Sequence, residues 1–213
     1  MDIIGKDYNY GFYYGEMYKQ YKNKCKWLSF FDFDEYLVMH FNDSKNLTLN
    51  EFLPNNIFDK CEAIQFNWFM HGDNDLVYYD NRTSMERFTR PDYGNYANKF
   101  VKVIIRGGLN KTTFESGGSI HTLHKDIFLC NSLGEIQTYH RDNIDPPIFK
   151  YGYLIHYNTR TAEEYVRKVK RCYAGRNDCD YEERVRLFFI HNKFTEEKLK
   201  VFEKNFNRTF HIK

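Results

Sequence analysis

Apolar residues recur at helical spacing near the start of the chain. Across residues 12–25, Tyr14, Met17, Tyr18, Tyr21 and Cys25 fall on one side of a 3.6-residue period, which predicts an amphipathic helix. The pattern then changes. Trp27, Leu28, Ser29, Phe30 and Phe31 form a nearly continuous apolar run, of the kind that suits a strand buried on both faces. Residues 47–53 predict a short helix stopped by Pro54. Residues 63–70 read as a second buried strand, residues 71–75 as a polar loop, and residues 99–105 as a third strand that ends at Gly107 and Gly108. Pro146 and Pro147 break the chain before a fourth strand at 152–156. Thr161 and Glu164 have capping-box spacing. Behind them Ala162, Tyr165, Val166, Val169 and Tyr173 share one helical face, with Arg167, Lys168, Lys170 and Arg171 mostly on the other. Residues 182–190 and 195–206 predict two more helices. Strands and helices are interspersed, so the expected class is α/β, with a mixed sheet flanked by helices.

Composition narrows this picture. The chain has 213 residues, 42% of them hydrophobic and 28% charged, which fits one folded domain and excludes general disorder. Its 18 tyrosines and 20 phenylalanines suit core and sugar-binding surfaces alike. Charge is uneven: residues 1–80 carry 7 basic and 13 acidic side chains, and the remainder 24 and 16. A cation on the acids and a diphosphate on the bases would use that asymmetry; chance surface charge would also produce it. Nucleic acid is not expected as a partner, because no long run of like charge occurs. The five cysteines are odd in number and lack a C-x-x-C, so neither a disulfide framework nor a zinc ribbon is expected. His121 and His124 have no matching cysteine pair. The first 25 residues lack an apolar signal region, and no stretch is long and apolar enough to span a bilayer. As written, the chain is expected in the cytoplasm, with membrane association only if a preceding segment supplies an anchor.

The candidate chemistry lies just after the first strand, at Asp32, Phe33, Asp34 and Glu35. Open α/β sheets bind ligands beyond the carboxyl ends of their strands. In an extended segment, residues i and i+2 point the same way, so Asp32 and Asp34 are expected to converge. Two converging carboxylates repel unless a cation joins them, and hard oxygen ligands favour Mg²⁺ or Mn²⁺. A solvated turn with capping acids has the same spacing. So does a haloacid-dehalogenase-like phosphatase, although there Gly-Thr or similar typically follows the second acid, where this chain has Glu35 and Tyr36.

Residues 27–37, WLSFFDFDEYL, resemble the W-[IL]-x-x-[IF]-D-[IF]-D-E-[FY]-L core of glycosyltransferase family 92 and related family 2-like domains. Further landmarks follow in the same order. Residues 49–53 resemble its short helix; Trp68 to Gly72, then Glu86, Arg87 and Phe88, resemble W-x-x-[FY]-G … E-R-F. Lys102 to Arg106 and then His121 (or His124) resemble K-[ST]-I-[VI]-R … H. Residues 155–165 resemble I-N-H-Y-x-T-K-S-x-E-E-[FY]. The resemblance covers about residues 15–200 of a chain read as one glycosyltransferase-like domain over 1–213.

It implies a GT-A fold and inverting transfer of a sugar from a nucleotide-sugar donor, such as a UDP-sugar, to a glycan acceptor. It also implies Mn²⁺ or Mg²⁺ held by Asp32 and Asp34, with His156 as a third metal or diphosphate contact. His156 as a satisfied core histidine is the alternative. Glu35 would brace the loop, and Arg160, where the family has Lys, could clamp phosphate in a fork. The base that removes the acceptor proton would be a carboxylate: Asp73 is preferred, next to Gly72, where a chain can approach a ligand closely. Glu86 is the other candidate, or else an ion-pair partner of Arg82 and Arg87. Trp68 would stack on the acceptor or belong to the core. Nothing in residues 1–26 resembles the family's nucleotide-binding first strand, so an amino-terminally truncated form is expected: a half-enzyme completed by a partner chain, or an inactive remnant.

Overall fold

The computed structural model describes residues 10–42, 45–111, 113–114, 122–138, 142–171 and 180–212. Two compact units emerge. One contains the stretches Asn9–Phe69 and Tyr96–His156 and carries the sheet; the other contains Met70–Asn95 and Tyr157–Lys213 and is mainly helical.

In the sheet unit, helix α1 (Tyr10–Tyr21) leads to β1 (Trp27–Ser29) and β2 (Glu35–Met39). Helix α2 (Leu49–Phe52) and a 3-10 turn (Asn56–Phe58) precede β3 (Ala63–Met70), whose last residue belongs to the other unit. Then come β4 (Val101–Arg106), β5 (Leu129–Cys130) and β6 (Gly152–His156). The strand order is β1-β4-β3-β6-β2, with β5 beside β3. β1 with β4, β3 with β4 and β2 with β6 are antiparallel, whereas β5 runs parallel to β3, so the sheet is mixed as expected.

The central strands are buried on both faces because both parities of residue are apolar. Ile64, Phe66 and Ile104 join one cluster with Met39, Phe52, Phe58 and Leu154. Ala63, Val103 and Ile105 join the other with Tyr18, Phe114 and Leu129. Thr48 and Glu51 form a capping box that starts α2, which places Phe52 in the first cluster. Two glycines permit close approaches. A Cβ at Gly107 would lie 2.0 Å from the Cys25 carbonyl oxygen, and one at Gly152 would lie 2.7 Å from the Phe66 ring. The first keeps the α1–β1 loop against the end of β4; the second seats β6 over β3.

Three expectations are corrected in this unit. β1 is an edge strand, its three residues half-buried or exposed, because it pairs only with β4. The α1 face centres on Tyr18, which is buried and donates to the Arg106 carbonyl oxygen, whereas Met17 and Tyr21 are exposed. Cys61 and Cys130 form a disulfide across 69 residues, at the edge of β3 and β5. Distant cysteines carried no spacing signal; the parallel β3–β5 register, with Ile64 opposite Cys130, brings them together.

In the helical unit, α3 (Ser84–Arg87), α4 (Ala162–Lys170), α5 (Tyr181–His191) and α6 (Glu196–Phe206) are all started by side-chain caps. The Thr161–Glu164 capping box forms, and Ala162, Tyr165, Val166 and Val169 pack against Val185, Phe188 and Phe202. Tyr173, expected on the same face, lies outside the described residues. Among the described residues, no helix is long and apolar enough to cross a membrane.

Candidate active site

The acid cluster sits in a tight turn between β1 and β2. It is not the extended segment that the i, i+2 argument requires: the Glu35 N–H donates to the Asp32 carbonyl oxygen at 3.1 Å, folding the chain back over Phe33 and Asp34. The Asp32 N–H in turn donates to Glu35 Oε2 at 2.9 Å. Asp32 and Asp34 therefore have different surroundings. Lys102, the second residue of β4, donates to Asp32 Oδ2 at 2.8 Å and lies 3.3 Å from Glu35 Oε2. Asp34 Oδ1 lies 3.8 Å from His156 Nε2. Phe33, at the tip, is fully exposed.

The strand register explains how distant residues meet here. Glu35 and His156 are direct partners in the β2–β6 pair, so the residue that follows the acids is opposite the late histidine. Trp68, on β3, packs its ring 4.4 Å from the His156 ring and 5.6 Å from Phe100. It is partly buried, and its Nε1–H has no hydrogen-bond partner among the described residues. Trp68 thus limits the freedom of the imidazole.

Glu35 is the fully buried carboxyl of this turn. Burial pushes it up to about 7, against the opposing pull of the Lys102 charge and the Asp32 amide. Lys102 opens a segment that resembles the family but was given no role in the site, although it left a signal. It is a lysine flanked by Val101, Val103, Ile104 and Ile105, and a cation in such a strand must find a buried partner.

A divalent cation fits part of this arrangement. Each ligand sits about 2.1 Å from Mg²⁺, so two ligands of one ion can lie up to about 4.2 Å apart. The 3.8 Å between Asp34 and His156 is within that reach. Asp32 is turned toward Lys102. Among the described residues, no group of three or more His, Cys, Asp or Glu is arranged to hold a metal ion. Mg²⁺ is usually held by one or two carboxylates together with substrate phosphates, and two protein ligands suffice for that mode.

The other candidates lie in the helical unit. Asp73 is buried; its Oδ2 lies 2.6 Å from Lys198 Nζ, and its Oδ1 accepts from the Asp75 N–H at 2.9 Å. Burial raises its carboxyl above the ordinary range, against the pull of Lys198. With Gly72, Asp75, Arg90 and His191 it lines a cleft of about 410 Å³. A Cβ at Gly72 would meet only Asn192 Oδ1 at 3.6 Å and His191 O at 3.9 Å, so bulk is tolerated there. Glu86 closes the α3 capping box. It accepts from the Thr83 N–H and hydroxyl, both at 2.8 Å, and those bonds hold its carboxyl below the usual range. Arg82 pairs with Asp80, and buried Arg87 forks onto Glu164 at 2.6 and 3.0 Å, so neither arginine is the ion-pair partner expected for Glu86. Arg160 adopts a left-handed backbone (φ 55°) immediately before the α4 cap. His124 lies in the sheet unit, 3.3 Å from Asp126. His121 lies outside the described residues.

The family model of glycosyltransferase family 92 matches residues 18–210, which span both units. No curated protein matches the chain.

Proposed function

The chain belongs to glycosyltransferase family 92, and from that premise we propose that it moves a sugar from a nucleotide-sugar donor, a UDP-sugar, to a hydroxyl of a glycan acceptor with inversion. The observation that carries this reading is the turn that sets Asp34 beside His156, with Asp32 and Glu35 clasped by Lys102. Family membership replaces the phosphatase reading of the same acids.

In this proposal Asp34 and His156 would hold Mn²⁺ or Mg²⁺ together with the donor diphosphate, and Asp32, paired with Lys102, would keep the turn in place. The cation, when bound, supplies Lewis-acid stabilisation of the negative charge on the departing diphosphate. Arg160 offers a guanidinium for phosphate. Trp68 keeps His156 in place and excludes water from one side of it. Asp73 is the preferred base: burial raises its carboxyl above the ordinary range even beside Lys198, whereas the Thr83 hydrogen bonds lower Glu86. Gly72 and Asp73 share a cleft that would take the acceptor. The Cys61–Cys130 disulfide favours folding in an oxidising compartment over the cytoplasm.

Binding of UDP in the presence of Mn²⁺, measured by calorimetry, tests the reading. The wild-type chain should bind and Asp34→Asn should lose binding. Equal binding by both would remove Asp34 from the site.

A further inference from the structure

Lys102 is the second residue of β4, between Val101 and Val103, with its side chain only 1% exposed. Both of its ion-pair partners lie in the acid turn, and they differ in kind. The Glu35 side chain is fully buried at the start of β2, where pairing with β6 fixes its position. The Asp32 side chain is 59% exposed, so water competes with Lys102 for it. Glu35 Oε2, 3.3 Å from the ammonium, is also the acceptor of the Asp32 N–H. Lys102 therefore reaches Asp32 twice: directly through the carboxylate, and indirectly through the main chain by way of Glu35.

We infer that Lys102 is a positioning residue of the donor site: its clasp from β4 fixes Asp32, and through Asp32 the turn that presents Asp34. The inference rests on the reading above for what the turn presents; the clasp itself does not depend on it. A lysine that served only to neutralise Glu35 would leave Asp32 indifferent to its loss. A clasp makes Lys102 and Asp32 behave as one unit, with non-additive effects.

The test uses the full chain and a ligand-free readout. Phe33 is exposed at the tip of the turn, so the rate of chymotryptic cleavage after it reports how firmly the turn is held. Lys102→Met alone would leave the buried Glu35 carboxyl without its ammonium partner, so it is combined with Glu35→Gln, which keeps an acceptor for the Asp32 N–H. Asp32→Ala alters an exposed side chain and reports on the clasp even where the double variant fails to fold. Asp32→Ala and the double variant should each raise cleavage after Phe33 about tenfold, and the triple variant no further. Affinity for UDP with Mn²⁺ should fall by a similar factor in each. Glu35→Gln alone should cleave at the wild-type rate. Cleavage unchanged in Asp32→Ala, independent multiplication in the triple variant, or a full effect from Glu35→Gln alone would each overturn the clasp. A wild type that binds no UDP with Mn²⁺ would sink the donor-site reading, while the cleavage rates would still decide the role of Lys102.

Discussion

Glu35 and His156 are cross-strand partners in the β2–β6 pair. This register brings Asp34 Oδ1 to 3.8 Å from His156 Nε2 and makes the late histidine part of the acid turn. The pairing converts a short acidic motif into a site with a side chain contributed from more than 100 residues away.

His156→Ala should therefore weaken Mn²⁺ binding about tenfold or more, the scale seen when the surroundings of a metal ligand are lost. Electron paramagnetic resonance of free Mn²⁺ reads this directly. Unchanged affinity would return His156 to the core.

Trp68 packs on His156 with its Nε1–H unpartnered among the described residues. Trp68→Phe removes that N–H and keeps an aromatic ring, so urea unfolding should show a loss of about 1 kcal/mol or less. Trp68→Ala should cost about 3 kcal/mol or more, and it should also weaken Mn²⁺ binding by releasing the imidazole.

Arg87 and Glu164 form a buried two-bond ion pair between α3 and α4. Removing one partner strands the other, and Arg87→Met should destabilise by about 3–5 kcal/mol. The pair also sets a pH dependence. Burial by itself would raise Glu164, but the Arg87 and Thr161 hydrogen bonds outweigh it and lower the carboxyl. Its stabilisation is fully present above the ordinary value of 4.5 and is lost as pH falls from there through the depressed folded value. Thermal melts on the acid side should show a fall in wild type that is shallower in Glu164→Gln.

Asp73 and Lys198 are a second buried pair, and removing the aspartate strands a lysine. Asp73→Asn should lower kcat about a hundredfold or more if the carboxylate is the base. The paired variant Asp73→Asn with Lys198→Met should recover stability without recovering turnover. Recovery of turnover would make Asp73 an anchor of α6.

The Cys61–Cys130 disulfide closes a separation of 69 residues. In the chain-entropy account its loss costs about 4 kcal/mol. Cys61→Ser with Cys130→Ser should lower the urea midpoint accordingly, and dithiothreitol should reproduce the shift in wild type.

Much of this protein was legible along the chain because its signals are local. The strands at 63–70 and 152–156 occur at those bounds, since each is an apolar run bounded by loops. The α4 capping box needs only residues three apart, and Thr161 and Glu164 form it. The acid cluster was legible for the same reason, and so was its resemblance to family 92, which is carried by short segments in fixed order. β2 was not anticipated, because EYLVM after an acidic turn has no periodicity that separates strand from loop; its pairing with β6 decides it.

The sequence by itself determined every helix but α3, the central strands, the family and the identity of the acids, because capping, periodicity and motif order act over a few residues. Only the tertiary structure decided what each acid faces. Asp32 is turned to Lys102, Asp34 to His156, and Glu35 is buried between strands. Those partners come from β4 and β6, and only strand register, set by burying both faces of the sheet, brings them to the turn.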